Sequence, residues 1–322
     1  MTRPVLGPPH THVRPARAAY FVGAATPEQV PETYVKCVRA AFADFAADLA
    51  GAHRERAPQR LLVNTHGWVK GAGRVMLEQI VALVEPTHIV KIEGTTRTKM
   101  FELTLPNRPA PGASGLLPPE LLLMPSWTKT FPRASISAVQ RRAQQLAAYF
   151  LPGSGGSGGS GARSAARAAR TPAQQLATQH PYAVSWDAVV VRTMHERVQP
   201  SQVLYALNGA VVGLARVAEA TAQAARDAGA GAVGAAVATL CETPIVRCAG
   251  LGIVRAIDPE RRLLYILTPL APAELAGVNV LLLGSIALPK LLTADATLRP
   301  ALYATPWSVA VSGTEVFRSR RF

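Results

Sequence analysis

Residues 61–92 read LLVNTHGWVKGAGRVMLEQIVALVEPTHIVKI, and the order of patterns within them decides the fold class. RLLVNT (Arg60–Thr65) is an apolar run that predicts a buried strand. A polar break follows, and then Ala72, Met76, Ile80 and Val84 recur at four-residue steps, marking one face of a helix that stops near Pro86. THIVKIEG (Thr87–Gly94) predicts a further strand. Upstream the alternation is the same. AAYFVG (Ala18–Gly23) is a short apolar run ending in Gly, and Tyr34, Val38, Phe42, Phe45 and Leu49 line a helix. Continuous apolar strands separated by amphipathic helices predict an α/β fold with a parallel sheet flanked by helices.

In open parallel sheets, ligands bind beyond the carboxyl ends of the strands. Asn64, Thr65, Gly67 and Trp68 fall at such an end. Thr65 can cap the helix that follows, and Gly67 lets the backbone pass close to a ligand. Lys70, within one turn, can meet a phosphate. Trp68 has two readings. Exposed, its ring offers a face on which a nucleobase stacks, worth about 1–3 kcal/mol per base. Buried, it packs the helix onto the sheet.

Further along, Pro106–Pro132 is rich in Pro, Gly and Leu and predicts an irregular excursion. SISAVQRRAQQLAAYFL (Ser135–Leu151) predicts a helix. GSGGSGGSGARSAARAAR (Gly153–Arg170) has the composition of a flexible linker running into a basic tract. The domains expected are therefore 1–151, of α/β type, a linker over 152–178, and a β-rich C-terminal domain over 179–322. In the last of these, Asn208-Gly209 between two apolar runs predicts a hairpin, and Asp258-Pro259-Glu260 predicts another between LGIVRAI and LLYILTPL. Ala218–Leu240, Ala- and Gly-rich, reads as an inserted surface segment.

The 322 residues are 49% hydrophobic, enough for a sizeable core and for two domains. The formal charge of +14, from 34 basic and 20 acidic residues, suits polyanionic partners such as nucleic acid or an acidic membrane surface. It equally suits basic residues scattered over the surface. Three cysteines, none in a CxxC pair, argue against a disulfide scaffold and a structural zinc site. The seven histidines are scattered, so no metal site is expected, and His10, His12 and His66 read as ordinary polar residues. No apolar run reaches the roughly 18 residues that cross a bilayer. The longest, Gly277–Leu288, is interrupted by Asn279 and predicts a buried strand. Arg3, Arg14 and Arg17 precede any acid, but the prolines around them oppose an amphipathic targeting helix.

LLVNTHGWVKGAGRVMLEQIVALVEPTHIVKI resembles the segment of polynucleotide 5′-hydroxyl kinases that reads NTxGWVKGxG, then a helix, then PTHVV. The resemblance extends upstream through LGPPHTHVRPARAAYFVGAATPEQVPETYVKCVRA. Downstream, VLYALNGAVVGLARV, CAGLGIVRAIDPERRLLYILTPL and GVNVLLLGSIALP are similar to the nucleolar, rRNA-processing branch of that family. It implies a P-loop-kinase-like fold and transfer of the ATP γ-phosphate, with Mg²⁺, to an RNA 5′-hydroxyl during pre-rRNA maturation in the nucleolus of the nucleus. It also implies a single-stranded RNA 5′ end as substrate and a protein partner in an rRNA-processing complex, with no membrane. Trp68 would stack on a base near that 5′ end. A lid helix ending in a Tyr-Phe pair, here Tyr149-Phe150, would carry Arg142 and beside it Arg141 towards the transferring phosphate. Where the relatives have a second Arg one turn earlier, this chain has Ala138. It also contains no GxxxxGK[ST] loop. The chain thus reads as the portion of such a kinase that follows its phosphate loop. The alternative is a non-catalytic RNA-binding or scaffold protein derived from one.

Overall fold

The computed structural model describes residues 16–51, 60–93, 119–125, 137–151, 170–194, 198–230 and 237–293. The architecture is mixed α/β, with a small parallel sheet and a larger mixed one. Two compact units hold them. One comprises residues 26–136, and the other joins residues 1–25 to 137–322.

In the unit of residues 26–136, helix α1 (Pro31–Gly51) packs with α2 (Ala72–Val84), which buries Met76, Leu77 and Ile80. Both follow the apolar spacing of the sequence. The chain leaves α2 through Glu85 in the left-handed region, and Pro86 forbids another turn. Strand β1 (His88–Glu93) pairs in parallel with β2 (Glu120–Pro125), His88 opposite Glu120. The second strand corrects the expectation of an irregular excursion at Pro106–Pro132. Leu121, Leu122 and Leu123 have the composition of a strand, and the flanking prolines obscured it. RLLVNT is also corrected: residues 60–65 form no strand and are exposed, Leu62 by 94%. Apolar composition makes a strand only where a neighbour offers its backbone, and no described residue pairs with this run.

The other unit is built on a six-stranded sheet in the order β3-β7-β6-β5-β8-β4. Its strands are β3 (Tyr182–Ser185), β4 (Val190–Thr193), β5 (Val211–Ala215), β6 (Cys248–Asp258), β7 (Leu263–Leu267) and β8 (Val280–Leu283). Only β4 and β8 run parallel; the remaining neighbours are antiparallel. The hairpin from β6 to β7 stands where Asp258-Pro259-Glu260 predicts it. The Asp258 carboxylate accepts from the Glu260 and Arg261 amides, fixing the turn. Asn279, which interrupts the apolar run before β8, is buried and behaves as a piece of ladder. Its amide accepts from Val217 N at 2.9 Å and donates to Val217 O at 3.0 Å.

Three further segments differ from expectation. Asn208-Gly209 does not turn a hairpin. Val203–Leu207 forms a helix, α5, that buries Val203, Leu204 and Leu207, and the Asn208 amide closes it onto Leu204. Asn208 has φ −60°, and only Gly209, at φ 66°, has the positive φ that both residues of the expected turn require. The Ala-rich stretch contributes helix α6 (Glu219–Ala230), which lies against β4 with Ala222 fully buried. A row of small side chains lets the helix approach the sheet. Within the expected linker, Pro172–Ala177 is a helix, α4. Thr171 and Gln174 exchange side-chain and backbone hydrogen bonds at its start, and Ala173 and Leu176 are buried. Residues 152–169 lie outside the described residues.

AAYFVG makes a single bridge, Tyr20 to Arg247, and belongs with the six-stranded sheet. Phe21 fills the space above Gly213, where a Cβ would stand 2.5 Å from its ring. Ser285 N donates to Gly23 O at 2.7 Å, and Gly284 lies so close to the Gly23 backbone that no side chain fits between them. This short run, with the Phe21 ring to bury, is recruited by the sheet that has a pocket for it.

Candidate functional site

Trp68 is seated by the helix it precedes. Gly71, the residue before α2, adopts φ 53° and ψ −132°, a conformation that glycine alone tolerates without strain. The chain doubles back there, and the indole lies against Gly73. A Cβ at Gly73 would stand 2.5 Å from the indole Cγ and Cδ2. The WVKGAG spacing is therefore a built seat for an aromatic ring. Trp68 remains partly exposed. The packing is thus observed, and one part of the ring stays accessible.

His66 extends the ring system. Its imidazole meets Tyr34 of α1 edge-on at 5.6 Å and lies tilted to Trp68 at 6.4 Å. Both ring nitrogens are buried without a hydrogen-bond partner. Burial pushes the imidazole pKa below its ordinary value, and the nearby main chain of Trp68 opposes this less strongly. Burial likewise raises the Tyr34 phenol. His66 is thus favoured as a neutral ring in an aromatic group of three, which the sequence reading missed. The i, i+2 pairing of His66 with Trp68 was visible, but the partner on α1 was not.

Asn64, Thr65, Gly67 and Lys70 are exposed around this group. Thr65 does not cap α2. The helix begins only at Ala72, seven residues on, and Gly71 occupies the capping position. Arg141 and Arg142 are exposed near the start of α3 (Ala138–Phe150), in the unit of the six-stranded sheet. Ser137 and Gln140 form a capping box at that start. At the other end Tyr149 and Phe150 pack edge to face, and Phe150 is 1% exposed.

Among the described residues, no group of three or more His, Cys, Asp or Glu side chains could hold a metal ion. With no GxxxxGK[ST] in the chain, these residues do not compose a cradle for Mg²⁺ and a triphosphate. No described helix is long and apolar enough to cross a membrane.

Two family models match the chain in succession. The model for the P-loop of the mRNA cleavage and polyadenylation factor CLP1 matches residues 1–151, and the model for the NOL9-like C-terminal domain matches residues 177–289. Polynucleotide 5′-hydroxyl-kinase NOL9 of Danio rerio is 28% identical over 307 residues, which cover 91% of this chain and 39% of the relative. The Homo sapiens protein of the same name is 29% identical over 317 residues, 90% of this chain and 42% of the relative. The chain thus spans about two fifths of the length of these relatives. Among solved structures, one described as the extended interface between Pcf11p and Clp1p is similar at 13% identity. It covers 79% of this chain and 52% of its own, with a TM-score of 0.41.

Proposed function

Since the chain belongs to the polynucleotide 5′-hydroxyl-kinase family, we propose that it grips the 5′-hydroxyl end of an RNA strand for ATP-dependent phosphorylation during pre-rRNA processing. The observation that carries this reading is Trp68, a ring locked against Gly73 yet still partly exposed. A pre-organised aromatic face costs little ordering when a base stacks on it. Asn64, Thr65 and Gly67 would contact the sugar and backbone of that nucleotide, and Lys70 its phosphate. Arg142, with Arg141, would meet the charge that phosphoryl transfer spreads over the equatorial oxygens. Among the described residues no cluster of His, Cys, Asp or Glu could hold Mg²⁺, and the sequence contains no GxxxxGK[ST] loop. The site of action is the nucleolus, and the unit of the six-stranded sheet would hold a protein partner. The family models leave residues 152–176 unmatched, which supports a boundary in sequence there, while helix α3 of the first part packs in the unit of the six-stranded sheet.

A second reading, carried by the same Trp68 seat, is a non-catalytic RNA-binding scaffold. Labelled γ-phosphate transfer to a 5′-hydroxyl RNA oligonucleotide separates the two. Transfer by this chain supports the kinase; no transfer with retained binding supports the scaffold. In either case Trp68→Ala should weaken single-stranded RNA binding roughly 5- to 150-fold, the equivalent of one stacked base. Unchanged affinity in a folded variant refutes the grip.

A further inference from the structure

We propose that the six-stranded sheet sets the position of the arginine-bearing helix α3, through Tyr149 seated on Gly250 and Leu251 of β6. The contact is built from both sides. Strand β6 begins at Cys248, but its pairing with β7 begins only at Ile253, opposite Leu267. One backbone edge of residues 248–252 is therefore free of β7, and an unpaired edge must be satisfied otherwise. Leu251 N donates to the Tyr149 hydroxyl at 2.8 Å, and Leu251 O accepts from the Thr268 hydroxyl at 2.9 Å. The tyrosine oxygen stands where a strand carbonyl would stand. The register of β6 against β5 shifts just there, between the pairs Leu214–Gly250 and Ala215–Cys248, so Ala249 is an extra residue.

Gly250 makes the seat. A Cβ on it would collide with the Tyr149 hydroxyl and stand 3.0 Å from both methyls of Leu270. The adjacent Phe150 lies in a cluster with Leu176, Val211, Ile253 and Leu267. Gln179 Nε2 donates to Phe150 O at 2.8 Å, holding the last carbonyl of the helix. The C-terminal end of α3 is thus fixed by a ring, a hydroxyl and a carbonyl. Its other end, about 11 Å away at 1.5 Å per residue, carries the exposed Arg141 and Arg142. A rod held at one end transmits the orientation of its clamp. Tyr149 is accordingly a positioning residue, and the sheet takes part in the chemistry through it.

The functional half of this inference rests on the proposed contact between RNA and the two arginines; the anchoring does not. The test uses the full chain and a single-stranded RNA decamer with a 5′-hydroxyl, in four forms: parent, Tyr149→Phe, Arg141→Gln with Arg142→Gln, and all three substitutions together. Tyr149→Phe keeps the ring and deletes the hydroxyl. It should weaken binding roughly threefold to tenfold, the factor one net hydrogen bond carries. It should cost nothing further once the arginines are gone. Amide exchange in residues 138–150 should quicken in Tyr149→Phe and in Gly250→Ala, which breaks the same contact from the sheet side. An additive loss in the triple variant would overturn the positioning role. Unchanged exchange in both single variants would overturn the anchoring. Parent-like affinity in the arginine-less chain would sink the RNA contact of Arg141 and Arg142 instead, and the exchange measurement would still decide the anchoring.

Discussion

Strands β8 and β2 are written in nearly the same letters, VLLL and ELLLMP, and meet opposite fates. Every residue of β8 is buried, whereas every residue of β2 is exposed. β8 lies between β5 and β4 and receives side chains on both faces, including Phe21 and Val217 on one and Val212 and Leu214 on the other. β2 has β1 as its neighbour in a sheet of two. The difference teaches that apolar composition states a demand for burial and that ladder and layers on either side supply it.

The largest break in this comparison should come from Leu282→Ala. Leu282 is 1% exposed on β8, between β5 and β4, and its truncation should cost about 2–5 kcal/mol, read as a lowered urea midpoint. Next comes Asn279→Leu, which leaves the buried Val217 N–H and C=O without their side-chain partners. About 2–3 kcal/mol is expected in the same experiment, and a neutral variant would mean that water replaces the amide. In the smaller unit Gly73→Ala pushes the new methyl into the Trp68 indole. It should cost about 1–3 kcal/mol, alter Trp68 emission and weaken RNA binding together.

A smaller effect attaches to pH. Burial lowers the folded-state pKa of His66 below the unfolded value of about 6.5. The unfolded chain therefore takes up the proton first. Stability is full above that value and falls as pH drops through it. Urea midpoints between pH 7.5 and 5.5 should fall in the parent and less so in His66→Phe. The smallest effect is the other half of the opening pair: Leu122→Ala, 40% exposed on β2, should stay within about 0.5 kcal/mol of neutral. A cost matching that of Leu282→Ala would show that β2 is covered in solution.

Much of the fold was legible where the pattern carries its own periodicity. The apolar steps of α1 and α2, the turn at Asp258 and the buried run at Val280–Leu283 needed no partner to be seen. What could not be read was pairing. RLLVNT has the letters of a strand and no partner among the described residues, and β2 was hidden between prolines. AAYFVG found its place through Gly213 and Gly284, which stand far along the chain. At Asn208-Gly209 the dipeptide signal was outweighed by Val203, Leu204 and Leu207, whose spacing fits one turn of a helix. Thr171 and Gln174 have capping-box spacing, but they fall inside the stretch expected to be linker. At the candidate site, Asn64, Thr65, Gly67, Trp68 and Lys70 lie in the loop before α2 and not at the end of the buried strand that the sequence predicts. The Gly73 seat, the His66–Tyr34 contact and the Tyr149 anchor depend on distances that no local pattern encodes.

The bond from Ser285 to Gly23 joins residues 262 apart, and it dictates an order of events. A chain leaving the ribosome from its N-terminus presents Phe21 long before Gly213 and Gly284 have been made. Residues 26–136 are complete by then and are free to fold on their own contacts. The six-stranded unit, which borrows from both ends of the chain, closes only after β8 emerges, and closing so long a loop is slow. Synthesis and folding therefore run in different orders: residues 26–136 first, the six-stranded unit last. Until that moment Phe21 waits in solvent, and a chaperone would find its handle there.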